Sequence, residues 1–212
     1  MYNGSMAQDI YELELHAPAY GGESIARLPD GKAVFIPYTL PGERVKARLL
    51  EEKRGHARAE LLEVLRPAAE RIPPRCPHYT QCGGCHYQHL AYPDQLRLKE
   101  RILREQFTRA GLQDPPVRPI LPSPREWNYR NTLQFHLTPE GRLGFQAAGS
   151  HTVVPISECH LPEPALAEAW PQLQMEPIPG LERVELRLGA EDAALFDDSD
   201  SEPDEDDDDG DP

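Results

Sequence analysis

The chain has 212 residues and is 39% hydrophobic, enough for one ordinary domain or two small ones with a modest core. Its 22 Lys and Arg against 36 Asp and Glu give a formal charge of −14, which as a bulk property argues against a nucleic-acid partner. No stretch approaches the roughly 18 apolar residues of a membrane span, and the N-terminus has no apolar signal core, so a soluble cytoplasmic protein is expected.

The charge is unevenly placed. Residues 1 to 75 carry 11 basic and 11 acidic side chains, residues 76 to 160 carry 9 and 7, and residues 161 to 212 carry 2 and 18. Eleven of the sixteen residues from Asp197 to Pro212 are acidic, and such a stretch buries too little apolar surface to fold. It reads as a disordered acidic tail or connector, and the rest of the chain is close to neutral. Met1 to Ser5, ahead of Met6, read as an expression remnant.

From Glu12 to Leu65 the apolar period is two. Leu13, Leu15 and Ala17 alternate with polar residues, and so do Val45, Ala47 and Leu49 with Arg44, Lys46 and Arg48. Turn residues separate these runs at Tyr20-Gly21-Gly22, Pro29-Asp30-Gly31, Pro41-Gly42 and Gly55-His56. About five short half-buried strands suit a closed barrel of the oligonucleotide-binding (OB) type, since closure removes exposed edges.

All four cysteines come next: Cys76, Cys82 and Cys85 in the pattern C-x5-C-G-G-C, and Cys159 far downstream. In a reducing compartment such spacing favours a metal site over disulfides. Gly83 and Gly84 let the backbone wrap closely, so that two thiolates converge on one centre. Three ligands from one loop and one from afar suit a 4Fe-4S cluster, whose ligands are spread over four irons. Zinc is the alternative, although its usual sites pair two short hooks and this chain has one. His78, His86 and His89 flank the trio and read as supporting or surface residues.

From Tyr92 to Gly111 the period becomes helical, with Leu96, Leu103, Phe107 and Ala110 on the expected buried face, Pro93 near the start and Gly111 as the stop. Arg97, Arg101 and Arg104 make a basic stripe, which Glu100–Arg104 and Glu105–Arg109 pairs can hold as an ordinary solvated face. A proline-rich link, Pro115 to Pro124, leads to strand-like runs at Asn131–Leu137, Arg142–Gln146, Thr152–Ile156 and Arg183–Leu188, with a hairpin turn at Thr138–Gly141. The fold expected is mainly β with some α: a five-stranded OB-type barrel, a cluster-binding loop and helix, and a small β-rich α+β domain. Its boundaries are 1–69, 70–111, 112–195 and an acidic tail at 196–212.

Cys76-Pro77-His78-Tyr79, Cys82-Gly83-Gly84-Cys85, Tyr87-Gln88-His89-Leu90, Tyr92 and Gln95-Leu96 together resemble the cluster loop of the RNA uracil-5-methyltransferases. Upstream, Tyr20-Gly21-Gly22-Glu23-Ser24-Ile25-Ala26-Arg27 and Phe35 to Glu43 resemble the TRAM domain, an RNA-binding OB-type barrel. Downstream, Tyr129-Arg130-Asn131, Gly144-Phe145 and Ser150-His151 resemble that family's central domain, where Cys159 corresponds to the fourth cluster cysteine. Thr132 departs from the lysine often found after Arg-Asn in the family.

The resemblance runs from about Tyr11 to about Leu188. It implies a chain that recognises rRNA or tRNA and holds a 4Fe-4S cluster through Cys76, Cys82, Cys85 and Cys159. The glycine-rich S-adenosylmethionine site and nucleophilic cysteine of the family's catalytic domain are not found among these residues. Uracil C5-methylation needs a thiolate added at C6, so the isolated chain is expected to bind RNA without methylating it, as a monomer and without DNA or membrane partners. Expected RNA contacts are Arg27, Lys32, Arg44 and Lys46 on the barrel, Arg97, Arg101 and Arg104 on the helix, and Arg130 and Asn131 downstream. The competing reading is a stand-alone RNA-binding adaptor holding iron–sulfur or zinc. A radical methylthio-transferase fits neither the cysteine spacing nor the order of the segments.

Overall fold

The computed structural model describes residues 9–173, 175–176 and 180–189, together with the backbone of 193–196. The tail expected from 196 onward lies outside the described residues apart from the backbone of Phe196, and so does the stretch Met1–Ser5. The chain divides into two compact units, Met1–Pro124 and Arg125–Pro212. Among the described residues no helix is long and apolar enough to cross a membrane.

In the first unit, β1 (Ile10–Glu14), β2 (Ala17–Pro18), β3 (Glu23–Arg27), β4 (Ala33–Pro37), β5 (Arg44–Glu52) and β6 (His56–Arg66) form one sheet in the order β1-β5-β6-β4-β3-β2. Neighbours are antiparallel except β4 and β6, which run parallel with Val34 opposite Ala57. β1 pairs with β5 and β2 with β3, so consecutive strands sit at opposite ends of the sheet. The chain between them is bonded at both sides, through Leu15 N–H to the Glu43 carbonyl at 2.9 Å and His16 N–H to the Ile25 carbonyl at 2.9 Å. The sheet is thereby curled, and three register shifts between β5 and β6 add local twist.

Inside the curl lie Leu13, Leu15, Ala26, Leu28, Val34, Ile36, Val45, Ala47, Ala57 and Ala59. The alternation read from the sequence identifies Leu13, Leu15, Val45 and Ala47 correctly, whereas Ala17 and Leu49 are only partly buried, and small alanines on β5 and β6 let the walls approach. Among the described residues six strands are present where about five are expected. The difference includes Ala17–Pro18, which is too short for a two-residue period to show.

Helix α1 (Tyr92–Arg109) follows the cysteine loop. Its start has no side-chain cap, but Gln95 Nε2 donates to the carbonyls of Leu90 and Tyr87 at 2.9 and 3.2 Å and ties the first turn to the loop. The buried face differs from the one expected. Ile102 is enclosed, with Leu98 partly so, whereas Leu103 and Phe107 are 44% and 40% exposed. One residue turns a helix by about 100°, so apolar side chains on both sides of Ile102 left the face ambiguous in the sequence.

In the second unit, β7 (Thr132–Leu137), β8 (Leu143–Gln146), β9 (Val153–Pro155), β10 (Arg183–Leu188) and β11 (Ala193–Phe196) form an antiparallel sheet in the order β11-β10-β7-β8-β9. Helix α2 (Pro164–Ala169) and a 3-10 turn at Trp170–Gln172 supply Leu166 and Trp170 to a core with Leu133, Phe135, Leu143, Val184 and Leu186. Phe135 stacks on Phe145 at 5.1 Å and meets Trp170 at 5.3 Å. Gly144 is required here, because a Cβ would stand 2.4 Å from the Val154 carbonyl oxygen on the neighbouring strand.

Candidate functional site

The cysteine loop has few apolar residues, and hydrogen bonds shape it. Cys76 N–H donates to Gln88 Oε1 at 3.0 Å, Tyr79 N–H to the Cys76 carbonyl at 3.2 Å, and Cys82 N–H to the His78 carbonyl at 2.9 Å. Gly84 N–H points at Cys82 Sγ at 3.4 Å. All four cysteines are half-buried. Cys76, Cys82 and Cys85 share the loop of the first unit, while Cys159 belongs to the second, packed against its core. Among the described residues no group of three or more His, Cys, Asp or Glu side chains is gathered to hold a metal ion. Three of the four cysteines nonetheless share one loop, and one of their sulfurs is met by a backbone amide.

Beneath the loop lies a polar floor that the sequence pattern did not reveal. Glu43, fully buried at the end of the β4–β5 turn, accepts from the amides of Leu40 at 2.9 Å and Ala68 at 3.2 Å, and from Arg71 Nη2 at 2.9 Å. Arg71 Nη2 also donates to the Tyr38 carbonyl at 2.8 Å. Burial by itself raises the Glu43 carboxyl, but the Arg71 guanidinium and the two amides outweigh it and hold the group below its ordinary range. The backbone of Arg71 bridges to Leu90, and Ile72 N–H donates to the His89 carbonyl at 3.0 Å, so both ends of the loop are closed over this pair.

The three histidines take different places. His78 is half-buried, His86 is exposed and His89 is fully enclosed. His89 Nδ1 pairs with the Tyr79 hydroxyl, which also donates to the His86 carbonyl at 2.9 Å. Burial first and the nearby Arg71 charge second push the His89 imidazole down to about 4, so it is neutral at ordinary pH. The turn Tyr20-Gly21-Gly22 abuts the loop: a Cβ on Gly22 would lie 2.6 Å from His86 Cβ, and Gly22 has a left-handed φ of 85°. Tyr20 at its tip is 81% exposed, and Lys99 lies 5.6 Å from the centre of the Tyr87 ring.

Most of the expected RNA-contacting side chains are engaged within the protein. Arg27 caps its own turn at the Gly31 carbonyl, 2.8 Å away; Lys32 pairs with Glu52; and Arg44 meets Glu12 at 2.6 Å. Lys46 stands on β5 in register with Glu12 and Glu63. On α1, Arg97 pairs with Asp94, Arg101 with Glu105 at 2.8 Å and Arg104 with Glu100 at 3.5 Å. Each of these pairs has at least one solvent-exposed partner and contributes little stability. Arg130 and Asn131 sit together in a recess with Tyr129, Thr132, Gln134 and Phe145. The Arg130 backbone is fixed by bonds to Leu161 and Glu163, and its side chain is exposed.

A family model described as the TRAM domain matches residues 5–62. An uncharacterized RNA methyltransferase of Nitratidesulfovibrio vulgaris is 37% identical over 155 residues, 71% of this chain and 33% of that protein. The 23S rRNA (uracil(1939)-C(5))-methyltransferase RlmD of Shewanella baltica is 42% identical over 137 residues, 62% of this chain and 30% of its own length. The chain is similar to RNA methyltransferases, and its residues 5–62 match the TRAM domain. It spans about a third of the length of the relatives above. The crystal structure of Pyrococcus abyssi tRNA (uracil-54, C5)-methyltransferase in complex with S-adenosyl-L-homocysteine shares the fold, with a TM-score of 0.59 at 21% identity, over 86% of this chain and 44% of that one.

Proposed function

We propose that this chain is the RNA-recognition and iron–sulfur-binding portion of an S-adenosylmethionine-dependent RNA uracil-5-methyltransferase acting in the cytoplasm on rRNA or tRNA. One observation carries the reading: the three-cysteine loop, with an amide already turned to one sulfur, is locked to the RNA-binding type of barrel by the buried Glu43–Arg71 pair. Cys76, Cys82, Cys85 and Cys159 would hold a 4Fe-4S cluster, which would add to the closure that the Glu43–Arg71 pair gives the loop. Methyl-donor binding and thiolate addition to uracil would be supplied outside these residues, whose four cysteines are all committed to the cluster. By itself the chain binds RNA without methylating it.

RNA is held on this reading by exposed cations that exchange a carboxylate for a phosphate, and by the recess at Arg130 and Asn131, beside the aromatic rings of Tyr129 and Phe145. Anaerobic purification with metal and sulfide analysis tests the cluster. About four irons per chain and a brown protein are expected, and a colourless protein with a single zinc overturns the assignment. Filter binding to a uridine-containing RNA hairpin over a salt series tests recognition. Affinity that is undetectable at low salt refutes it.

A further inference from the structure

A sheet that buries one face in a core leaves the alternate side chains of every strand on the other. In the second unit Leu133 and Phe135 of β7 and Val184 and Leu186 of β10 belong to the core. The opposite face therefore carries Thr132, Gln134 and His136 of β7, in register with Arg187, Glu185 and Arg183 of β10. Glu185 on this face is already engaged, by Gln134 Nε2 at 3.0 Å and by Arg187 Nε at 3.6 Å. Arg183 is exposed and, unlike the paired arginines of the barrel and α1, forms no ion pair among the described residues; the same holds for Arg130.

These two unspent cations stand near opposite ends of β7, each in a recess. At one end Arg130 and Asn131 share theirs with Thr132 and Gln134. At the other, Arg183 and His136 line a recess of about 650 Å³ with His151, Gln146, Thr138 and Glu182. His151 Nδ1 lies 3.5 Å from Gln146 Nε2, and Glu182 is the one carboxylate set against two imidazoles and a guanidinium. Burial first and Arg183 second hold the His136 imidazole below its ordinary range, a state that an approaching anion relieves. Thr132 and His136 are about 13 Å apart along the strand, so one row of polar side chains joins the two recesses.

We propose that the recess of His136, His151 and Arg183 is a second RNA subsite, taking a phosphodiester of the same single strand whose neighbouring nucleotides occupy the Arg130 recess. The inference rests on the RNA-recognition reading of this chain and gives the strand a path, along β7 on the open face of the sheet. Charge complementarity selects the occupant: an unpaired guanidinium near each end, and between them a carboxylate already spent.

The test measures binding of the whole chain to a labelled oligouridylate of about ten nucleotides over a salt series, for wild type, Arg183→Gln and Arg142→Gln. Arg142 is exposed on the same unit without lining the recess, so its variant removes an equal charge elsewhere. R183Q should bind about fivefold more weakly at low salt and lower the salt slope by about one, with R142Q close to wild type. Equal changes in the two variants, or none in either, overturn the subsite and leave RNA recognition standing. A wild type with no measurable affinity at low salt overturns RNA recognition, and the subsite with it. Tighter binding by R183Q places an acidic segment of the protein in the recess and overturns RNA as its occupant. Should R183Q fail to fold, NMR titration of the wild-type His136 imidazole with and without oligouridylate decides. A phosphate among His136, His151, Glu182 and Arg183 moves that titration upward, and an unmoved titration overturns the site.

Discussion

Arg71→Met probes the feature on which the cysteine loop stands. The substitution keeps the length and apolar stem of the side chain and removes the guanidinium. Glu43, fully buried, then keeps only the Leu40 and Ala68 amides, and the Tyr38 carbonyl loses its donor from Arg71. Breaking a buried pair from one side costs about 3–5 kcal/mol, and the two surviving amides place this case near the lower end.

The loss should depend on pH, with a sign fixed by the carboxyl. In the wild type Glu43 is held below its ordinary 4.5, so its contribution is full above that value and fades as pH falls through the lowered one. Without Arg71, burial dominates and raises the group, so the variant is relatively least stable near neutrality and the gap to wild type narrows towards pH 4. Both tryptophans, Trp127 and Trp170, lie in the second unit, so their fluorescence reports on that unit. Hydrogen exchange across 36–47 and 68–90 reads the perturbed region directly. A loss below about 1 kcal/mol at pH 7, or an equal loss at pH 4 and pH 7, refutes the buried-pair account.

Gly22→Ala should destabilise the first unit clearly more than Gly21→Ala in thermal melts. Both glycines have left-handed φ, costing about 1 kcal/mol for alanine, but only Gly22 has the His86 side chain in the way. Equal shifts would show that the turn does not press on the loop. Stability should also fall between about pH 6.5 and 4 as the enclosed neutral His89 is forced to charge, by an amount of order 3 kcal/mol, because its folded value lies below its unfolded 6.5. His89→Gln should flatten that part of the profile; an unchanged profile removes His89 as its cause. In RNA binding, Arg130→Ala should lower the salt slope by about one, since a phosphate contact is lost without sequence preference. An unchanged slope excludes Arg130 from the interface. Removing residues 197–212 should tighten binding by lifting like-charge repulsion, and unaltered affinity rules out an inhibitory tail.

The barrel strands were legible because their signal is local. A two-residue period with one buried face leaves a mark at Leu13, Leu15, Val45 and Ala47 that survives any arrangement of neighbours. The hairpin at Thr138–Gly141 was legible for the same reason, and Gly141 N–H donates to the Thr138 carbonyl at 2.9 Å. The face of α1 was not. Leu96, Leu98, Ile102, Leu103 and Phe107 cover more than one side, and which side is buried is decided by what the helix packs on. The pairing of the basic residues was legible only in part: the helical i, i+4 partners follow from spacing, whereas the carboxylate that Arg44 meets on the neighbouring strand does not.

Glu43 and Arg71 are separated by 28 positions and nothing in either neighbourhood marks them as partners, since acidic and basic residues in turns are ordinarily solvated. Yet this pair explains how a loop of cysteines, glycines and histidines keeps one shape. Apolar burial cannot specify it: only Tyr79, Gln88, His89 and Leu90 are enclosed in the stretch from Cys76 to Leu90, and two of the four are polar. A desolvated ion pair earns little net stability, but it is intolerant of displacement, because moving either partner leaves a buried charge unmet. Around it the satisfied groups form a chain from barrel to loop: the Leu40 amide, Glu43, Arg71 and the Tyr38 carbonyl. The Tyr38 hydroxyl, His89 Nε2 and Trp170 Nε1 are the buried side-chain polar atoms without a partner among the described residues. The rigidity that the pair provides is thus passed to the segment that carries Cys76, Cys82 and Cys85, whose ends it joins through Arg71 and Leu90.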